Sequence, residues 1–231
     1  MTDPLILFGG TFDPVHLGHI HGARTVSGLF GGARVELMPN AQPPHREQPG
    51  AGAQDRLAML QLACRDDPQL AVNDWELTRP GPSWTRLTLE HFRGLIGQRP
   101  LVLVIGADSL ASFQHWRDWQ QFPSLCHLAV LPRPGAGAPA PEVLAAFPEA
   151  SLGALRARPA GLRLMLAEPF VDVSATMIRE TLAEDGECDV LDRQVLDHIR
   201  RHGLYNVRQD AAGQTPGDTR HHRTRNQNGD A

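Results

Sequence analysis

The sequence contains no lysine, so all 22 basic residues are arginine. A Walker-type phosphate lysine and a Schiff-base lysine are both excluded, and any phosphate chemistry must draw on arginine, histidine, backbone amides and metal. Cysteine is scarce: Cys64, Cys126 and Cys188 lie 62 residues apart each time, which matches no zinc motif and leaves an odd thiol in any disulfide scheme. Reduced, mostly buried thiols are expected. Long apolar runs are missing as well. The start MTDPLILFGG has no basic region and only four consecutive apolar residues, too few for a signal sequence. No stretch nears the roughly 20 residues of a membrane span, and a cytoplasmic protein is expected. A basic surplus is also absent, since the formal net charge is −4, which argues against a nucleic-acid partner and for small ligands.

What is present is enough apolar material for a core: 231 residues, 41% hydrophobic, suffice for one large α/β domain. Short apolar runs alternate with helical-period segments, the pattern of βαβ units that build a parallel sheet. LILF (residues 5–8), RVELMP (34–39), LAVNDWEL (70–77), LVLVIG (101–106), HLAVL (127–131) and LRLML (162–166) read as strands. Leu17, Ile20, Ala23, Val26 and Leu29 recur at helical spacing after His16. Further helices are expected over 53–64, from an N-cap at Ser83 to about Leu95, from Ser174 to about Glu184, and over 192–202 with Gly203 as its stop. The Pro, Ala and Gly-rich stretch 132–159 reads as a surface connection holding one helix near 142–147. Residues 208–231 lack apolar periodicity and are expected to be a disordered tail on a domain of residues 1–207. No repeats are evident.

Chemistry concentrates in GGTFDPVHLGHIH (residues 9–21), where the first strand hands over to a helix. Gly9 and Gly10 let backbone N–H groups approach a ligand, and the helix N-terminus favours anions. His16 and His19 are i and i+3 and share one face, close to Thr11. Thr11, two imidazoles, amides and a positive dipole end make a phosphate site. Capping or packing is the plainer role for a single histidine. A metal site on His16, His19 and His21 lacks the Cys, Asp or Glu that would complete a zinc pattern, so no protein-bound metal is expected there. His21 projects away and receives no role. Gly106 and Asp108 follow the strongest strand at its carboxyl end, where open α/β sheets bind ligands, with capping of the next helix as the alternative role of Asp108.

GGTFDPVHLGH resembles the signature of the nucleotidyltransferase superfamily that carries an HxGH box, and FVDVSATMIRE (residues 170–180) resembles its second signature. MPNAQPPHR, PSWT, IGADSL, FQHW, RPG and HGLY, in that order, resemble segments of the bacterial nicotinate mononucleotide adenylyltransferases within that superfamily. The resemblance covers residues 4–207 and implies a Rossmann-like doubly wound parallel sheet with helices on both faces. It also implies a reaction in which the phosphate of nicotinate mononucleotide attacks the α-phosphorus of ATP, with Mg²⁺ on the phosphates, giving deamido-NAD and pyrophosphate.

The same resemblance assigns residues. His16, His19, Thr11 and Arg179 would be catalytic. Gly9, Gly10, Gly106, Asp108, Ser174 and Thr176 would complete the ATP site, with Ser174 capping its helix as well. His45, Arg46, Thr85, Trp116 and Arg117 would bind the acceptor, Trp116 by stacking on the pyridine ring; core packing is its alternative role. Arg46 replaces a common lysine of the family, and Ala175 stands where serine is often found. Sister enzymes that act on nicotinamide mononucleotide or phosphopantetheine, or use CTP, and a catalytically silent nucleotide-binding protein, are the alternatives. Nothing in the sequence addresses oligomeric state.

Overall fold

The structure is a computed structural model that describes residues 3–41, 50–167 and 173–207. Along the chain run β1 (Leu5–Gly10), α1 (Leu17–Leu29), β2 (Val35–Pro39), α2 (Ala53–Cys64), β3 (Leu70–Val72), α3 (Trp75–Thr78), α4 (Thr85–Ile96) and β4 (Leu101–Gly106). Then come α5 (Ala107–Ala111), β5 (His127–Leu131), α6 (Pro141–Ala146), α7 (Leu152–Arg156), β6 (Arg163–Met165), α8 (Ala175–Asp185) and α9 (Arg193–His202). Tight 3₁₀ turns occupy Phe113–His115, Trp119–Ser124 and Leu204–Asn206.

The strands form one parallel sheet in the order β3-β2-β1-β4-β5-β6, with Ile6 paired to both Val35 and Val102. The apolar runs are unbroken because both faces are covered. Ile6, Phe8, Val102 and Val104 pack toward α1, α2, α8 and α9, whereas Leu5, Leu7, Leu101 and Leu103 pack toward α4 and Phe113, Phe122 and Phe147. This is the Rossmann-like doubly wound sheet expected from the sequence. The strand order reverses between β1 and β4, which opens a crevice at the carboxyl ends of those two strands.

Several expectations are corrected. LAVNDWEL is a strand only through Val72, because Asn73 Oδ1 accepts the Trp75 N–H at 3.0 Å and this local turn starts a helix at Trp75. Trp84, not Ser83, is the N-cap of α4, since the Ser83 hydroxyl instead accepts the Ala41 N–H at 2.8 Å. On α1 the outer members of the apolar stripe, Leu17 and Leu29, are exposed, and burial is confined to the inner turns around Ile20, Ala23 and Val26. Gly106 occupies the N-cap of α5, so Asp108 does not cap it. Ser174 stands at the N-cap position of α8, but its side chain makes no capping bond. The cysteines are free, with Cys64 and Cys126 buried and Cys188 half-buried, as expected.

The stretch 132–159 differs most from expectation. It carries two helices rather than one, and Val143, Phe147 and Leu155 are fully buried. Phe147 meets the Phe113 ring edge-on at 5.9 Å, which closes the core on the α4 side. Phe147→Ala is expected to cost about 3–5 kcal/mol in urea unfolding, as other buried phenylalanine truncations do. Leu29→Ala, an exposed control, should stay within about 0.5 kcal/mol. A loss near the control value for Phe147→Ala would mean that this connection is not part of the core.

Candidate active site

A cavity of about 650 Å³ lies at the carboxyl ends of β1 and β4, and a second of about 380 Å³ adjoins it. Gly9, Gly10, Thr11, Ser109 and Trp116 line both. The first also collects His16, His19, Gly106, Asp108, Ser174, Thr176 and Arg179. Every ATP-site residue expected from the sequence therefore borders one space, although Ser174, Thr176 and Arg179 are more than 150 residues away in the chain from Gly9. Thr85, Trp116 and Arg117 line the second cavity. His45 and Arg46 lie outside the described residues.

Local packing explains the arrangement of the β1–α1 loop. A Cβ on Gly10 would meet the Phe12 ring at 3.0 Å, so glycine is needed for that ring to fold under the strand end. Phe12, buried with φ 51°, sits edge-on to the His19 ring at 5.0 Å. His16 is the N-cap of α1, and its ring stacks on His19 with centroids 3.6 Å apart. The His16 N–H donates to His19 Nδ1 at 3.3 Å, so in the neutral ring the His19 proton resides on Nε2 and Nε2 is a donor. His16 Nδ1 is a buried polar atom with no hydrogen-bond partner among the described residues. His21 is exposed, in keeping with the absence of a role.

Burial, aided by the positive charge of Arg133, lowers the His16 pKa from the ordinary 6.5 to about 4, so the ring is neutral at pH 7. Arg133 lines the first cavity, and its Nη1 lies 3.3 Å from Asp108 Oδ2. Sequence reasoning did not assign Arg133 a role. Its signal was its position just past the end of β5, next to the sheet's ligand-binding edge. Arg179, which also lines this cavity, donates through Nη1 to the Asp13 carbonyl at 2.8 Å and through Nη2 to Thr176 Oγ1 at 3.2 Å. Its guanidinium is thereby oriented before any ligand arrives.

Two supporting groups were also missed. The buried Asp13 carboxylate accepts the Gly50 N–H at 2.8 Å, the Ala51 N–H at 3.0 Å and the Tyr205 hydroxyl at 2.7 Å. Burial and the neighbouring Asp13 charge push the Tyr205 phenol well above its usual range. Arg56, 1% exposed, donates to the carbonyls of Thr11 at 2.7 Å and Asn40 at 2.8 Å, joining the loops that follow β1 and β2. Its place beside Met59 and Leu60 on the buried face of α2 was the available sign that this arginine is not a surface charge.

The second cavity is framed differently. The N-terminus of α4 borders it at Thr85, where helix N–H groups lack intrahelical partners. Arg117 lies over the Trp84 ring at 4.8 Å, and Trp116 stacks on Phe113 at 5.0 Å while bordering both cavities. Glu76, buried, accepts the Thr88 hydroxyl at 2.5 Å and also faces this space.

The lowered His16 pKa has a consequence for stability. Because the unfolded chain takes up a proton on this ring near pH 6.5 and the folded chain only near pH 4, His16 costs nothing above 6.5 and favours unfolding increasingly as pH falls through that window. Urea unfolding of His16→Gln is expected to lose less stability between pH 7 and pH 4 than wild type. Parallel profiles would mean that His16 is not held neutral.

The cytidylyltransferase-like family matches residues 7–181. The nicotinate-nucleotide adenylyltransferase of Salmonella typhimurium is 40% identical over 206 residues, covering 86% of this chain and 97% of its own. A protein of Marinobacter nauticus described as a probable nicotinate-nucleotide adenylyltransferase is 41% identical over 209 residues, covering 88% of this chain and 97% of its own. Among solved structures, Plasmodium falciparum nicotinic acid mononucleotide adenylyltransferase complexed with NaAD superposes with a TM-score of 0.70 over 90% of this chain and 99% of that one. At 14% identity that likeness concerns the fold. The chain belongs to the cytidylyltransferase-like family, alongside the nicotinate-nucleotide adenylyltransferases.

Proposed function

We propose that this chain transfers the adenylyl group of ATP to nicotinate mononucleotide, forming deamido-NAD and pyrophosphate. The observation that carries the reading is the stacked His16–His19 pair at the mouth of β1, facing a cavity that continues past Thr11 and Trp116 into a second one. ATP suits the first space and the mononucleotide the second. The acceptor phosphate would attack the α-phosphorus in line and pyrophosphate would leave from the opposite side, with no protein nucleophile needed.

The side chains then position groups and stabilise charge. His19 Nε2 and His16 would donate to the α-phosphate as negative charge builds, with Thr11 and the amides of Gly9 and Gly10 orienting it. Arg179, Thr176, Ser174 and the N-terminus of α8 would hold the β- and γ-phosphates. Arg133 would add a second guanidinium, and Asp108 would meet the ribose. Mg²⁺ fits as an ion that arrives on the nucleotide's phosphates, where it would neutralise charge on the leaving pyrophosphate. The first cavity is rich in donors, and among the described residues its half-buried carboxylate, Asp108, is already paired with Arg133. His45 and Arg46 are proposed to close on the mononucleotide phosphate. A cytoplasmic location goes with this activity; among the described residues no helix is long and apolar enough to cross a membrane.

Acceptor choice rests on the N-terminus of α4. A nicotinate carboxylate there would accept N–H bonds near Thr85 and Arg117, whereas an amide would turn donors toward donors. Each stranded polar group costs about 1–3 kcal/mol, and two give roughly 10²-fold discrimination. Glu76 favours a second reading, because a buried carboxylate in the acceptor space could receive an amide NH₂. Pyrophosphate release with ATP and Mg²⁺, run against nicotinate mononucleotide, nicotinamide mononucleotide, phosphopantetheine and phosphocholine, separates them. A preference of about 10²-fold or more in kcat/KM for the acid over the amide is expected. Comparable use of both would move the assignment to a dual-specificity enzyme, and no release with any acceptor would favour a silent nucleotide-binding protein.

Two variants test the roles. His19→Ala is expected to lower kcat by about 10²–10³, the usual loss for one preorganised donor; near-normal turnover would remove its phosphate role. Trp116→Ala should weaken acid and amide acceptors alike and leave their ratio nearly intact, because stacking does not distinguish the two rings. A changed ratio would give Trp116 a part in selectivity.

A further inference from the structure

Apart from the nucleotide cavities, a second group of ligand-type side chains meets where α2 and α9 pack together. Asp55 stands in the first turn of α2, and His198 and His202 are one helical turn apart on α9. His198 Nε2 lies 3.2 Å and His202 Nδ1 3.9 Å from the same oxygen, Asp55 Oδ1. The two imidazoles stack with centroids 4.2 Å apart, and one donor atom from each of the three residues falls within 4.8 Å of the others. None of the three borders either cavity.

We propose that Asp55, His198 and His202 bind one divalent cation of the zinc class, in a structural site that clamps α2 to α9 and is separate from any metal carried by ATP. A tetrahedral zinc ion with bonds of about 2.0–2.1 Å holds its donors about 3.3 Å apart. The Asp55–His198 pair already has that spacing, and His202, half exposed at the end of α9, needs only a small side-chain rotation to join it. Two histidines at i and i+4 on one helix face, plus a carboxylate, supply two nitrogens and an oxygen. This set suits Zn²⁺, Co²⁺ or Ni²⁺ and is poor for Mg²⁺, which prefers oxygen ligands. Water would take the fourth position. His198 is buried, so one ligand is fixed before the ion arrives.

The clamp has a mechanical role. Just before α2 lie the Gly50 and Ala51 amides that bind Asp13, and just after α9 lies Tyr205, which binds the same carboxylate. An ion joining the two helices would hold both arms of that contact.

The test uses the full chain stripped of metal by a chelator. Calorimetric titration with Zn²⁺ is expected to show one equivalent bound at micromolar or tighter affinity, with a rise in Tm of several degrees. Co²⁺ should give the visible absorption of a tetrahedral nitrogen and oxygen site. His202→Ala, at an exposed position that folding tolerates, should weaken binding by about tenfold or more and abolish the Tm gain and the Co²⁺ spectrum, as should Asp55→Asn. Replacing His221 and His222, two further histidines in the sequence, by alanine should leave all three signals in place. The proposal fails if wild type binds no Zn²⁺, if His202→Ala binds as wild type does, or if equimolar Mg²⁺ displaces the ion. In those cases the three residues form only a hydrogen-bonded pair with a neighbouring ring.

Discussion

The buried carboxylate of Asp13 is the contact on which the site's geometry depends. It receives two backbone N–H groups from the approach to α2 and the hydroxyl of Tyr205, while its own backbone carbonyl receives Arg179. Three distant parts of the chain therefore converge on the short loop that carries the histidines. Hydrogen bonds to a charged group contribute about 1.5–3 kcal/mol each, and the penalty for leaving such a group buried without them is larger. The loop consequently keeps one conformation, and Arg179, more than 160 residues away in sequence, is set against the cavity by the same contact. Arg56 performs the matching task from below by holding the carbonyls of Thr11 and Asn40.

The electrostatics of the cavity follow from a chain without lysine. Arg133 and Arg179 both have planar groups that are already oriented, Arg133 by Asp108 and Arg179 by Asp13 and Thr176. Burial and Arg133 keep His16 neutral, so its ring adds no positive charge to the cavity, which the guanidinium groups of Arg133 and Arg179 supply. A triphosphate entering this cavity would act against the Arg133 part of that shift, since its negative charge favours the protonated ring.

Much of this was legible in the sequence because it rests on local pattern. LVLVIG and HLAVL are strands with the expected bounds, since an unbroken branched run ended by glycine or proline has few other solutions. The histidine box could be read because glycines, a strand end and a helix start are sequence neighbours. What escaped reading depends on tertiary partners. Ser83 looks like a cap until its hydroxyl is taken by Ala41, and the Asn73 turn ends a strand that propensity would continue. Asp13 sat inside the motif, yet its partners Gly50, Ala51 and Tyr205 are 37 to 192 residues away, and no spacing rule connects them. Glu76 was hidden for the same reason, because LAVNDWEL reads as a strand until the Asn73 turn and the Thr88 hydroxyl that Glu76 accepts are known.

Tyr205 is the only tyrosine in the chain. Its hydroxyl rests on Asp13, and its ring lies where a Cβ on Gly50 would touch it at 3.1 Å. Any tyrosine-specific signal, such as phenolate absorbance, a single labelled ring resonance or chemical nitration, therefore comes from one point beneath the histidine loop. The protein carries its own reporter: an observer who follows that one phenol follows whether Tyr205 stays joined to Asp13 beneath the histidine loop, with no probe added.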